Sequence, residues 1–349
     1  MTGIAGGLVR AGVTLPVAGV AVAGHAFLMV CVFMGTVIAI ERAVALKHVV
    51  AFIGPLTSGG AGLALLAGAP QAAAWLAVAA ALAFVGVNLV VVRRQPAAHT
   101  GLLLAGALAW FAGSVAHALR VLDGAVVPLW FCFLVFTIAA ERLEMTRLMR
   151  RHVGAGPALL GILAAAACGA LLSGFAAGWG GLLYGLSLAA LAAWLAVFDI
   201  ARRTVRAAGL SRYMALCLLT GYAWLFAAGL AWGATALGLP WRDAALHGLA
   251  LGFVFSMVLG HAPVILPAVA RVKVAFGWPF YLPLMLLHVS LALRLLGGYL
   301  DPRLTAAGAA GNALAIAAFA LTLGASAIAW RIQHAPSQRK PRHEAPAGN

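Results

Sequence analysis

The sequence predicts an all-α integral membrane protein with about eleven transmembrane helices. Of its 349 residues, 64% are hydrophobic and only 9% are charged, and the mean hydropathy is +1.03. Apolar blocks of roughly 20 residues, the length that crosses a bilayer as a helix, recur along the whole chain. The basic residues fall mainly in short clusters between these blocks. The net charge of +15 therefore indicates membrane topology, and no nucleic-acid partner is expected.

Charges, prolines and glycines mark the edges of the predicted spans. The eleven predicted spans are 22–46, 49–69, 72–92, 99–120, 124–146, 153–176, 179–200, 210–237, 243–270, 276–296 and 304–330. No connection between them is long enough for a separate soluble domain, so residues 1–333 are predicted to form one polytopic bundle. The polar, proline-bearing tail 334–349 is predicted to be disordered.

The basic clusters also predict the orientation of the chain. They lie on alternate loops: Lys47–His48, Arg93–Arg94, Arg147 with Arg150–Arg151, Arg202–Arg203 with Arg206, Arg271 with Lys273, and the C-terminal tail. By the positive-inside rule these loops are cytoplasmic, which places the N-terminus outside and the C-terminus inside. The N-terminus lacks the basic region, apolar run and cleavage site of a removable signal peptide, so none is predicted.

An internal repeat is predicted from two pairs of matching segments. CVFMGTVIAIER at 31–42 aligns with FCFLVFTIAAER at 131–142, and the segment from His25 to Phe33 aligns more weakly with that from His247 to Phe255. The fifth and ninth spans would then correspond to the first. The predicted plan is 4+4+3 helices, with units near 22–120, 124–237 and 243–330. Chance matching is the alternative for stretches this short.

Five histidines lie within the predicted spans. His25, His117 and His247 fall near the outer ends of three different spans, so topology alone places three imidazoles at one level. His261 lies fourteen residues below His247, or about 21 Å along the helix. His288 is in the middle of the tenth span, nearer in depth to His261.

Histidines at these depths are candidates for metal binding. An ionisable group in hydrocarbon is costly and is a functional candidate by default, and neutral imidazole is a good ligand for haem iron and copper. The alternative is a set of histidines hydrogen-bonded across helix interfaces, with no cofactor. The four cysteines form no C-x-x-C motif and are predicted to be small core residues; they are Cys31, Cys132, Cys168 and Cys217.

Two further sets of residues interrupt the apolar pattern. Glu41–Arg42 and Glu141–Arg142 lie at the cytoplasmic ends of the first and fifth spans. Glu41 and Glu141 are candidates for a proton route or gate, and the alternative is a structural clasp between repeat-related helices.

In the ninth span Pro263 and Pro267 predict a kink just below His261. His25 with Met29 is a minor candidate for cuprous copper, although Met is more often core filler.

The ninth and tenth spans resemble a known family. WRDAALHGLALGFVFSMVLGHAPV followed by PFYLPLMLLHVSLALRLLG is similar to segments of NnrS-type bacterial membrane proteins, which are haem- and copper-containing multi-span proteins linked to nitric oxide metabolism. The resemblance implies a bacterial inner-membrane location and makes His247 a candidate metal ligand. This chain departs from the family in its continuation HAPVILPAVARVK and in having eleven spans instead of about twelve.

The sequence therefore predicts a haem b protein, with copper as a candidate second metal, that handles electrons or a small diatomic ligand such as nitric oxide. Two of His25, His117 and His247 would be axial ligands, while His261 and His288 would form a second site or a proton route. A quinone or another redox partner is the candidate electron donor. The alternatives are a cofactor-free proton-coupled transporter or channel and a structural subunit. No P-loop, G-x-S-x-G or H-E-x-x-H motif is present, which argues against ATP-driven and hydrolytic functions.

Overall fold

The computed structural model describes residues 1–145 and 153–334. Predictions that involve 146–152 and 335–349, including the basic cluster at Arg147–Arg151 and nearly all of the tail, lie outside the described residues. The described chain is helical and contains no strand. A short N-terminal helix, Thr2–Arg10, precedes the first span and is joined to it by the non-helical segment 11–18 and the helix Gly19–Ala23.

Eleven helices of the described chain are long and apolar enough to cross a membrane, as predicted. They are His25–Leu46, Val49–Leu66, Pro70–Arg94, Ala98–Leu119, Asp123–Met145, Ala155–Leu172, Ala177–Phe198, Gly209–Ala236, Arg242–Ala270, Trp278–Gly297 and Pro302–Gln333. Their edges lie within a few residues of the predicted ones, because charges and prolines are costly inside the hydrocarbon layer. We number them as spans one to eleven.

The fifth span lies at the centre of the bundle. Its most apolar 18-residue window is 78% buried, more than that of any other described span. The first span contacts both the fifth and the ninth. These are the three spans that carry the sequence matches, so side chains from all three can meet in the interior.

Small residues let neighbouring spans pack closely. A Cβ on Gly185 of the seventh span would lie 2.6 Å from the carbonyl oxygen of Gly229 in the eighth. A Cβ on Gly229 would lie at the same distance from the carbonyl oxygen of Gly185. Only glycine permits this approach, which is the usual way that membrane helices gain packing energy without a hydrophobic driving force. The last three spans share a smaller core with the eighth, built around Tyr213 and Phe280.

Three of the four cysteines are buried core residues, as predicted, whereas Cys168 is exposed. No described cysteine forms a disulfide. The residues around Pro263 and Pro267 are α-helical. The departure from α-helical hydrogen bonding in the ninth span lies nearer its start, in a π-helical segment at Gly248–Phe255.

Candidate functional site

His25 and His247 meet at one end of the bundle, which we call the histidine end. Their ring centroids are 6.2 Å apart and their planes are inclined by 26°. His25 is the first residue of the first span, and His247 lies one turn into the ninth. Two of the three imidazoles that were predicted to share a level are therefore neighbours.

His25 is held by the N-terminal helix. Its Nδ1 lies 2.7 Å from the carbonyl oxygen of Gly3. A carbonyl only accepts hydrogen bonds, so Nδ1 carries the proton and the Nε2 of the neutral ring keeps a free lone pair. A Cβ on Gly7 would lie 2.6 Å from Cε1 of His25. The N-terminal helix therefore packs directly on the imidazole, and only glycine at position 7 allows it.

His247 is held by an ion pair between a half-exposed carboxylate and a buried arginine. Its Nδ1 lies 2.8 Å from Oδ1 of Asp243, one helical turn earlier. Arg294 of the tenth span binds both oxygens of this carboxylate, with its Nε 2.9 Å from Oδ2 and its Nη2 2.7 Å from Oδ1. Arg294 is only 9% exposed. Because Nδ1–H donates to the carboxylate, Nε2 of His247 is also left as a free acceptor, the arrangement found behind metal-bound histidines.

Irregular helix surrounds these residues. The described chain has three π-helical segments: Leu28–Met34 follows His25, Gly248–Phe255 follows His247, and Leu293–Gly297 contains Arg294. A π-helical turn is less stable than an α-helical one and is often found at functional sites. All three lie beside residues of the His25–His247 pair or its ion pair.

His117 is near the pair but is not part of a three-histidine cluster. Its ring stacks on Phe27 at 5.5 Å and meets Trp130 edge-on at 5.2 Å, and the residue is exposed. Among the described residues, no group of three or more His, Cys, Asp or Glu side chains is arranged to hold a metal ion. The metal set predicted from His25, His117 and His247 is thus reduced here to two neighbouring imidazoles.

His261 uses both ring nitrogens within the protein. Its Nδ1 lies 2.8 Å from the carbonyl oxygen of Met257, and its Nε2 lies 2.8 Å from Nη2 of Arg142. An arginine only donates, so Nε2 accepts and Nδ1–H donates. A metal at His261 would have to displace the buried arginine.

His288 is also fully hydrogen-bonded. Trp224 donates from Nε1 to Nδ1 of His288 at 3.0 Å, so Nε2 carries the proton and donates to Oγ1 of Thr220, also at 3.0 Å. The indole of Trp224 reaches this position over Gly252, where any Cβ would clash with it. His261 and His288 therefore belong to separate hydrogen-bond sets and share no partner among the described residues.

The predicted Glu–Arg pairs meet at the opposite end of the bundle, which we call the arginine end. Nη2 of Arg42 lies 3.1 Å from Oε1 of Glu141, so the first and fifth spans are joined by an ion pair. Arg142, only 4% exposed, reaches His261 and links the fifth span to the ninth. Glu41 makes no hydrogen bond to a described residue and lies beside Glu141 and Arg42.

The residues that hold the histidine pair were not predicted from the sequence, although the sequence contains an indication of two of them. Asp243 precedes His247 by four residues and so lies on the same helix face. Arg294 is a basic residue inside an apolar span, which is itself a mark of function. Nothing in the sequence indicated Gly3, because its contact with His25 is made through a backbone carbonyl.

The arrangement can bind a group that needs two imidazole ligands. Haem iron is such a group because the porphyrin supplies its four other nitrogens. The two neighbouring imidazoles, each with an Nε2 that makes no hydrogen bond to a described residue, are the kind of ligand that haem iron and cuprous copper accept.

Comparison with known proteins identifies the family but supplies no activity. No curated protein and no solved structure matches the chain. A family model described as "Domain of unknown function (DUF8744)" matches residues 1–328, which include every residue of the candidate site. The chain therefore belongs to the DUF8744 family.

Proposed function

We propose that the protein binds haem b between His25 and His247 and handles electrons or a small diatomic ligand such as nitric oxide. The observation that carries the proposal is the pair itself: two adjacent imidazoles, each held through Nδ1 and each with a free Nε2. Neither Nε2 is among the fully buried polar atoms of the described chain, so both are open to a ligand. A metal ligand explains why two are kept side by side.

The residues of the chain have distinct tasks in this proposal. Gly3 and Asp243 orient the two rings and keep the proton on Nδ1, so that both Nε2 atoms stay available to a metal. Arg294 balances the charge of Asp243. The porphyrin iron supplies the redox and ligand-binding chemistry when it is bound, and the surrounding bundle influences its potential through low polarity and ligand choice.

The wider proposal is a bacterial inner-membrane protein related to the NnrS type. Its N-terminus is outside, its C-terminus is inside, and its spans form a 4+4+3 repeat in which the first, fifth and ninth correspond. Copper is a candidate second metal. A cleft of about 290 Å³, lined by Trp232, Thr235, Arg242 and Leu246 among others, borders the residue next to His247. This cleft is a candidate entrance for a quinone or another electron donor.

The test is the visible spectrum of protein expressed with a supply of haem, purified in mild detergent, and measured before and after reduction with dithionite. We expect a Soret band with reduced α and β bands, and haem in about equal amount to protein. The double variant His25→Ala/His247→Ala is expected to lose both, whereas His334→Ala, at an exposed position, keeps them. A colourless, metal-free wild-type protein would refute the proposal.

A second candidate, a proton-coupled carrier, is favoured by one observation. Glu41 is a half-buried carboxyl without a hydrogen bond to a described residue, beside the Arg42–Glu141 ion pair. Such a group could take up and release a proton. If this candidate is correct, Glu41→Gln stops proton-linked flux in proteoliposomes, and Glu144→Gln, whose side chain is 48% exposed, does not. Absence of flux in the wild-type protein would exclude it under the conditions tested.

A further inference from the structure

The two histidines of the pair are held with unequal strength. His247 donates to a carboxylate that is itself bound twice by Arg294. His25 donates to one neutral backbone carbonyl. Hydrogen bonds to ionised groups are roughly twice as strong as neutral ones. The ring of His247 is therefore the more firmly oriented of the two.

The supports of His247 are built into the bundle. Asp243 and His247 are on one helix, and Arg294 is in the tenth span. Gly308 of the eleventh span packs so closely on Arg294 that a Cβ there would clash with the arginine backbone. Moving His247 would therefore require three packed spans to shift together.

The support of His25 is peripheral. Gly3 belongs to a helix of nine residues, a length that is marginal by itself in water. This helix is followed by the non-helical segment 11–18, which includes Gly12 at φ 93°. His25 also begins a new helical piece after a turn at Gly24. The His25 ring therefore depends on a short helix at the edge of the bundle and has the weaker support of the two.

We infer that His25 is the exchangeable ligand and His247 the fixed one, so that an external diatomic molecule binds in the position of His25, beneath the N-terminal helix. This inference rests on the proposed haem site. With haem bound, the external ligand would replace the His25 nitrogen at the metal, one bond for one bond, and no electron would be transferred. His25 keeps its Nδ1 proton and leaves as a neutral imidazole.

The experiment uses carbon monoxide on the dithionite-reduced full-length protein, with the spectrum and the rate of binding as readouts. We expect His25→Ala to keep haem, lose the six-coordinate spectrum and bind carbon monoxide at least tenfold faster than wild type. We expect His247→Ala to lose haem or to retain at least tenfold less. The reverse pattern, with haem kept in His247→Ala and lost in His25→Ala, would overturn the inference.

A second variant tests the part played by the N-terminal helix without removing a ligand. Gly7→Ala places a methyl group against the His25 ring and is expected to speed carbon monoxide binding severalfold. Gly59→Ala is the matched control, because a Cβ there meets nothing within 4 Å. Equal rates in the two variants would contradict the role given to the helix. A wild-type protein without haem would instead refute the proposed function on which the inference rests.

Discussion

The two ends of the bundle use similar residues in opposite ways. At the histidine end, His25 and His247 each engage Nδ1 and leave Nε2 without a partner. At the arginine end, His261 engages both ring nitrogens, and Arg42 and Glu141 form an ion pair. The histidine end joins the first span to the ninth directly, and the arginine end joins them through the fifth. The difference lies in the histidines: the one at the arginine end has both ring nitrogens hydrogen-bonded, whereas the two at the histidine end each keep one nitrogen open to a ligand.

This difference separates two reasons for keeping polar residues in a membrane. A side chain that is fully hydrogen-bonded stabilises the protein by linking helices, which offsets the free-energy cost of its burial. A side chain that keeps one nitrogen free and open, as His25 and His247 do, remains available to a ligand. We therefore expect substitutions at the arginine end to change stability and those at the histidine end to change cofactor binding. Four substitutions test this division.

The largest effect is expected from Arg42→Met. The substitution removes the cation that is bonded to the Glu141 carboxylate, which is 28% exposed, and loss of this partly buried charged bond is expected to cost about 3 kcal/mol. The free energy of unfolding, measured by SDS titration in mixed micelles, is expected to fall by about that amount while the haem spectrum keeps its shape. Arg93→Met, at an exposed position of the same end, is the control. A changed spectrum would break the division between the ends.

Asp243→Asn is expected to change cofactor binding. The amide keeps the shape of the side chain but removes the charge that binds Arg294 and orients His247. Loss of such a supporting group weakens metal binding about 10–100-fold. Haem affinity is measured by transfer to apomyoglobin, together with the midpoint potential of the bound haem. Unchanged affinity and potential would mean that Asp243 only joins two helices.

Trp224→Phe is expected to lower stability without altering the haem. It removes the donor to Nδ1 of His288, and an unsatisfied buried acceptor costs about 1–3 kcal/mol. SDS titration measures the loss, with Trp179→Phe as the control because that indole is 75% exposed. If the variant lost haem instead, His288 would have to be part of the cofactor site.

The smallest effect is expected from His117→Phe. The ring contacts with Phe27 and Trp130 are of a kind that phenylalanine can also make, and exposed substitutions usually change stability by less than about 0.5 kcal/mol. Haem content, spectrum and unfolding free energy are all expected to match wild type. Loss of haem would restore His117 as the third member of the predicted metal set.

The sequence alone predicted the framework of this protein well. All eleven predicted spans exist as helices of the described chain, and Arg42 and Glu141 do pair across the first and fifth spans. The level of each histidine followed from its distance along a span. It could not be predicted that His25 would adjoin His247 while His117 packed against Phe27 and Trp130. Nor did the sequence show that Trp224 and Thr220 would complete the hydrogen bonds of His288.

The reason lies in what hydropathy records. Lipid penalises charge and open backbone at every depth, so the positions of apolar blocks and charges determine where helices start and end. Lipid does not distinguish one apolar face from another, so the neighbours of a helix depend on side-chain shape and on the few polar partners that meet across the bundle. The sequence by itself determined the spans and the place of each imidazole along its span. Only the tertiary structure decided that Gly3 meets one imidazole and that Asp243, bound by Arg294, meets the other, because both contacts join helices that are distant along the chain.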